Sequence, residues 1–264
     1  MSVTYTLRGA VAALMLVAGF AVEAGAAPAG AVKNIVLVHG ALVDGSSWRG
    51  VYDILTKDGY RVSVVEQPLT GLADDVAATR RVLDQQDGPV ILVGHSYGGS
   101  IITVAGAEPK VRALVYVAAL QPDVGETTNQ LAMSMPGSTP PGDLKPTKDG
   151  FVFLDPARFA ADVAADVPPA QASFMAHSQV PVAAAAFDAP VTVAAWHDKP
   201  SYGIIATADH ALNPALARRM YARSGAKVTE IKASHLVYVS HPGAVARVIE
   251  TAARAAGQPS TTAR

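Results

Sequence analysis

The chain has 264 residues, half of them apolar and only 16% charged, with 21 Lys and Arg against 22 Asp and Glu. That composition can bury a sizeable core and excludes a disordered, coiled-coil or collagen-like chain; the net charge of -1 offers neither the basic stripe of a nucleic-acid binder nor an acidic tail. There are no cysteines, so disulfides, thiolate nucleophiles, Cys-ligated zinc and iron–sulfur clusters are excluded together, and covalent chemistry is left to Ser, Thr, Lys or a carboxylate.

In chain order the first feature is a leader. Arg8 precedes an apolar run from Ala10 to Val22, and the small residues Ala24, Gly25 and Ala26 follow, the order of n-region, h-region and cleavage site in a secretory signal peptide. Residues 1–26 are therefore expected to be removed on export to the periplasm or beyond; the run is short for a membrane span, and the alternative is an uncleaved anchor. From Asn34 the pattern changes to short apolar runs separated by amphipathic stretches. The runs are Ile35 to Val38, Val62 to Val65, Val90 to Val93, Ala113 to Val117, Tyr202 to Ala206 and Lys227 to Ile231, read as strands buried on both faces. Ser47 to Asp58 reads as a helix stopped by Gly59. Leu72 to Gln86 reads as another, with Leu72, Val76, Ala77 and Leu83 on its apolar side. Strands alternating with helices imply right-handed crossovers and a mostly parallel sheet covered on both faces, an α/β class.

The alternation breaks after Ala119. Between Gln121 and Pro190 lie ten of the eighteen prolines, and about seventy residues of such composition make a poor independent core. The segment is read as a cap inserted at about 121–195 in a single domain spanning 32–256, followed by a tail over 257–264. Within it Asp155-Pro156 opens a helix through Val163, Pro168-Pro169 opens another to about Ser178, and Lys148-Asp149-Gly150 turns a small hairpin. Met133, Met135, Phe174, Met175 and Trp196 are candidates to line an apolar pocket or, equally, to fill the cap's own core. Pro242 to Ala256 closes the domain as a helix with Val245, Val248 and Ile249 inward.

The chemistry lies at the strand ends. Val90 to Val93 runs into Gly94-His95-Ser96-Tyr97-Gly98-Gly99, and Ser100 to Ala107 can continue as a helix. A Gly two residues either side of a Ser, between a buried strand and a helix, permits the sharp turn that holds a nucleophilic hydroxyl exposed. Of seven histidines, His235 follows the last strand by a short loop, at the same carboxyl edge as Ser96, and is the expected base. His39 and His95 suit orienting or packing roles, His177 and His197 surface positions, His210 points away from its acidic neighbour, and His241 caps the last helix. The third member of the set is Asp209, after the Tyr202 to Ala206 strand, with Asp123 as its rival.

Together with His39-Gly40-Ala41, Ala208-Asp209-His210 with Pro214, and Ser234-His235 with Ser240-His241-Pro242, these motifs resemble the cap-bearing α/β-hydrolase superfamily. Within it the chain looks similar to bacterial hydrolases related to plant methyl-ester esterases and hydroxynitrile lyases. The resemblance implies an α/β-hydrolase fold, catalytic Ser96, Asp209 and His235, and an oxyanion hole made by the Ala41 and Tyr97 N–H groups. It implies a small-molecule ester substrate with no metal, organic cofactor or nucleic-acid partner. Gly40 and Leu236 stand where the lyase branch carries Thr and Lys, which favours ester cleavage. Carbon–carbon hydrolysis, haloperoxidase-like chemistry and a non-catalytic small-molecule receptor are the alternatives on the same fold.

Overall fold

The computed structural model describes residues 27–258. The expected signal segment over 1–26 and residues 259–264 of the expected tail lie outside the described residues. The first half alternates strictly: β1 (Asn34–Val38), α1 (Arg49–Lys57), β2 (Arg61–Val65), α2 (Leu72–Asp84), β3 (Val90–His95), α3 (Gly98–Ala105) and β4 (Val111–Val117). The chain then leaves the sheet for α4 (Thr128–Ser134), β5 (Leu144–Pro146), β6 (Phe151–Leu154), α5 (Pro156–Val163), α6 (Pro169–His177), β7 (Val182–Ala183) and α7 (Ala185–Asp188). It returns through β8 (Ser201–Ala206), α8 (Pro214–Arg223), β9 (Lys227–Ile231), α9 (Val237–Ser240) and α10 (Pro242–Gly257).

Six parallel strands form the main sheet in the order β2-β1-β3-β4-β8-β9. In β1, Ile35 and Leu37 face the layer of α1 and α10, with Trp48, Leu55, Val245 and Ile249. Val36 and Val38 face the opposite layer of α2, α3 and α8, with Val76, Ile101, Leu216 and Met220. All four strand residues are fully buried, and each such side chain contributes about 1.5–3 kcal/mol by leaving water.

Two sequence expectations need correction. Strands β2 and β9 are not buried on both faces: Arg61 and Lys227 to Glu230 are exposed, because these strands are the two edges of the sheet. Charges there blunt edge-to-edge pairing. On α2 the buried face is Leu72, Asp75, Val76, Ala78, Thr79 and Leu83, and Ala77 is exposed. Helical periodicity puts Thr79 rather than Ala77 above Leu72, Asp75 and Val76.

The inserted segment builds its own three-stranded antiparallel sheet in the order β5-β6-β7. Its two main helices begin as their sequences dictate: Asp155 accepts from the Ala157 N–H at the start of α5, and Pro169 occupies the first turn of α6. The segment is tied to the main body where the Ala183 N–H donates to the Leu69 carbonyl at 2.8 Å. Of the apolar residues noted in the sequence, Trp196 is buried beside α3, its Nε1–H donating to the Pro122 carbonyl at 2.8 Å. Met133 and Phe174 are 63% and 67% exposed. Met175 borders a narrow slot with Val43, Ser46, Ser47 and Ser178, on the side of the loop after β1. A wider groove between α5 and α6, lined by Ala160, Ala164, Ala172 and Ala176, includes none of Ser96, Asp209 or His235.

Candidate active site

Strand β3 is buried along its whole length and ends at His95; the next residue, Ser96, has φ = 51° and Tyr97 caps α3. A left-handed conformation costs a non-glycine residue roughly 1–2 kcal/mol, so the surroundings must impose it. They do so by close approach. A Cβ on Gly94 would stand 2.6 Å from the Gly98 carbonyl oxygen, and one on Gly98 would stand 2.6 Å from the His39 carbonyl oxygen. The Ser96 carbonyl is held by the Gly99 and Leu120 N–H groups at 2.9 and 3.1 Å. The Ser96 side chain is thereby lifted off the sheet edge and left partly exposed.

Two loops at the same edge bring the other members. His235 Nε2 is 2.9 Å from Ser96 Oγ, and His235 Nδ1 is 2.7 Å from Asp209 Oδ2. The carboxylate can only accept, so Nδ1 carries the proton and Nε2 presents a lone pair to the Ser96 hydroxyl. Asp209 Oδ1 accepts from the Ala211 and Leu212 N–H groups at 2.9 and 2.8 Å, which fixes the carboxylate on both oxygens. Asp209 and His235 are 6% and 7% exposed, so the pair is shielded from water that would weaken it.

Asp123 does not reach this cluster. It accepts from His197 Nε2 at 2.9 Å on the surface beside Trp196, whose ring stacks on His197. The remaining histidines take local roles. His39 Nδ1–H donates to the Gly40 carbonyl at 2.8 Å, His177 to the Ser173 carbonyl, and His210 Nδ1–H turns to the Ala161 carbonyl at 3.2 Å. His241 Nδ1 lies 2.9 Å from Ser240 Oγ.

Beside Ser96 lies the turn Gly40-Ala41-Leu42, with Leu42 at φ = 67°. Among the described residues, neither the Ala41 nor the Tyr97 N–H has a backbone hydrogen-bond acceptor. Their supports were not evident in the sequence. Gln67 Nε2–H donates to the His39 carbonyl at 2.6 Å and so holds the loop that carries Ala41. Tyr97 O–H donates to Asp75 Oδ2 at 2.8 Å, while Asp75 Oδ1 accepts from the Leu69 N–H at 2.8 Å. Burial pushes the Asp75 carboxyl above the usual carboxylate range, although both hydrogen bonds oppose it. Burial, followed by the Asp75 charge, pushes the Tyr97 phenol up as well. The available signal was a carboxylate on the apolar face of an amphipathic helix.

His95, inside the Ser-bearing turn, is 1% exposed. Its Nε2–H donates to the His235 carbonyl at 3.1 Å, and its ring lies 4.7 Å from the His235 ring and 4.5 Å from that of Tyr238. Burial, then the neighbouring His235, drives the His95 imidazole well below the ordinary histidine range, so it stays neutral beside the candidate base.

Comparison with known proteins gives the family and the fold. The family model described as "Alpha/beta hydrolase family" matches residues 35–248. A carbendazim-hydrolysing esterase of Nocardioides sp. is 34% identical over 124 residues, 42% of this chain, and the match spans half of the relative's length. A pyrethroid hydrolase of Sphingobium wenxiniae is 30% identical over 251 residues, covering 83% of this chain and 86% of that one. Methylesterase 8 of Arabidopsis thaliana is 27% identical over 106 residues, 34% of this chain and 39% of its own. Among solved structures, a pyrethroid hydrolase superposes with a TM-score of 0.74 at 24% identity, over 86% of this chain and all of that one.

Proposed function

Because this chain belongs to the alpha/beta hydrolase family, we propose that it is a serine esterase acting on small to medium apolar carboxylic esters. The observation that carries this reading is the unbroken hydrogen-bonded chain from Ser96 through His235 to Asp209, with Ser96 on a strained turn beside two N–H groups that have no backbone acceptor. In the proposed cycle His235 Nε2 takes the Ser96 proton as Oγ attacks the ester carbonyl. The Ala41 and Tyr97 N–H groups then hold the oxyanion, where one donor is worth about 3 kcal/mol in the transition state. His235 returns the proton to the leaving alcohol; its neutral form then takes a proton from water as the water oxygen attacks the acyl carbon, and passes it to Ser96 Oγ as the Ser96–acyl bond breaks and the acid leaves. Relatives named for carbendazim and pyrethroid hydrolysis and for methyl esters support an ester as the substrate class.

The lyase alternative is disfavoured by shape. A Cβ at Gly40 would stand 2.8 Å from His95 Nδ1 and 2.9 Å from the Ser96 Cβ, and Leu236 is 1% exposed in the apolar core, so no cation faces the site from that position. The deciding experiment is a panel of aryl esters and a serine-directed fluorophosphonate applied to the protein and to Ser96→Ala. Turnover and labelling that vanish together in Ser96→Ala support the reading. Stoichiometric binding without turnover would assign a receptor instead, and cyanide release from mandelonitrile dependent on Ser96 would assign a lyase. We also propose export with cleavage near Ala26; N-terminal sequencing of protein from the native host tests it, and an intact Met1 refutes it. No described helix is long and apolar enough to cross a membrane.

A further inference from the structure

The candidate base sits on the loop that follows β9, an edge strand with a single strand neighbour and an exposed face. Such a strand is weak support for a group that must be held to a fraction of an ångström. The loop draws part of its support from the main sheet, where the Ala208 N–H donates to the Ala233 carbonyl at 3.0 Å. More comes from the inserted segment. The last carbonyl of α5, on Val163, has no partner within its own helix; it accepts from the Leu236 N–H at 3.0 Å and lies 3.1 Å from Ser234 Oγ. Three residues on, in the connection to α6, Asp166 Oδ2 accepts from the Ser234 N–H at 3.2 Å and from Ser240 Oγ at 3.0 Å. Asp166 Oδ1 is in hydrogen-bond contact with Ser234 Oγ. The residues immediately before and after His235 therefore both donate their N–H groups to the cap, while the His235 carbonyl accepts from His95.

We propose that Asp166, acting with the Val163 carbonyl, is a positioning residue for His235, so that the cap is part of the mount of the catalytic base. This rests on the assignment of Ser96 and His235 made above. Asp166 retains 30% side-chain exposure; burial pushes its carboxyl up, but the bonds from Ser234 and Ser240 outweigh this and hold it below the ordinary carboxylate range. It is thus ionised and an acceptor throughout the neutral range. Its role is geometric rather than electrostatic, which gives a sharp test. An Asn at this position can accept from the Ser234 N–H and Ser240 with its oxygen while its NH2 donates to Ser234 Oγ, whose proton passes to the Val163 carbonyl. An Ala can do neither.

The experiment measures the rate of fluorophosphonate labelling of Ser96, and kcat and KM on one aryl ester, for the parent, Asp166→Ala, Asp166→Asn and Asp143→Ala. The last removes a cap ion pair with Arg158 that does not touch the His235 loop. Asp166→Ala is expected to lower labelling and kcat by about ten- to a hundredfold with KM nearly unchanged. Asp166→Asn is expected to recover most of that loss, and Asp143→Ala to match the parent. Circular dichroism establishes folding; should Asp166→Ala fail to fold, Ser234→Ala, which cuts the hydroxyl links to both cap acceptors, is expected to show the same selective loss in kcat. Parent-like rates in the folded variant, a loss confined to KM, or equal losses in Asn and Ala would overturn the proposal. Labelling does not require an ester substrate. A parent that labels without turning over esters overturns the esterase reading and leaves this one to be judged by labelling rates, whereas a parent that does not label overturns both.

Discussion

Replacing Asp209 by Asn should stop catalysis without unfolding the protein, and the structure shows why the amide cannot escape. Asp209 Oδ1 accepts two backbone N–H groups, from Ala211 and Leu212, and Oδ2 accepts from His235 Nδ1. An Asn oxygen can replace only one of these carboxylate oxygens. If it stays with Ala211 and Leu212, its NH2 faces His235 Nδ1 and obliges that nitrogen to become the acceptor. The ring proton then moves to Nε2 and points at Ser96 Oγ, 2.9 Å away, which can no longer give up its own proton. The opposite orientation sets an NH2 against two N–H donors and leaves them without an acceptor, at about 1–3 kcal/mol for the buried one on Leu212. The inactive arrangement therefore dominates. The expected loss is about 10⁴ in kcat, or about 5 kcal/mol in the barrier. Steady-state ester hydrolysis with active-site titration reads the effect, and thermal melts confirm the fold. Asp123→Asn is the control, because its partner is the surface His197. A kcat within tenfold of the parent for Asp209→Asn, or a dead Asp123→Asn, would refute the reasoning.

Three further outcomes are expected. Ser96→Gly should be inactive yet more stable by about 1 kcal/mol, raising Tm by roughly 2–4 °C, since glycine tolerates φ = 51°; a lower Tm in calorimetry would contradict the strain argument. Tyr97→Phe should lose about 1–3 kcal/mol in urea unfolding, because the buried Asp75 keeps only its bond from Leu69; an unchanged midpoint would mean that the phenol is not supporting it. For pH, His95 is held neutral in the fold, its imidazole well below the ordinary histidine range, while in the unfolded chain it titrates near 6.5. The unfolded state thus binds the extra proton, so this contribution is complete above about pH 6.5 and declines as the pH falls below it, by up to about 1.4 kcal/mol per unit. His95→Gln, which keeps a donor for the His235 carbonyl, should flatten the decline in stability between about pH 7 and 5.5 by up to this one-proton slope; parallel curves would show that His95 is not the titrating group.

The six main strands were legible because parallel strands inside a sheet read as continuous Val and Ile runs, and the Ser-bearing turn because strand, glycine spacing and helix leave little choice of path. Strand burial was over-read at β2 and β9, since whether an apolar run is central or marginal depends on the order of strands in the sheet and not on the run itself. The helix from Pro214 to Arg223 was missed although Asn213 caps it by accepting from the Ala215 N–H, a local signal overshadowed by the motif around it. Local chemistry in the sequence was enough to nominate Ser96, His235 and two acids. Choosing between those acids geometrically took the tertiary structure, because Asp209 and Asp123 both follow sheet strands and only packing aims the first at His235 and the second at His197. The same holds for Gln67, Asp75 and Asp166, whose contacts with His39, with Tyr97 and with Ser234 and Ser240 span 22 to 74 residues. Hydrogen bonds across such separations leave no periodic trace in a sequence, since they are decided by where the cap and the loops come to rest on the sheet.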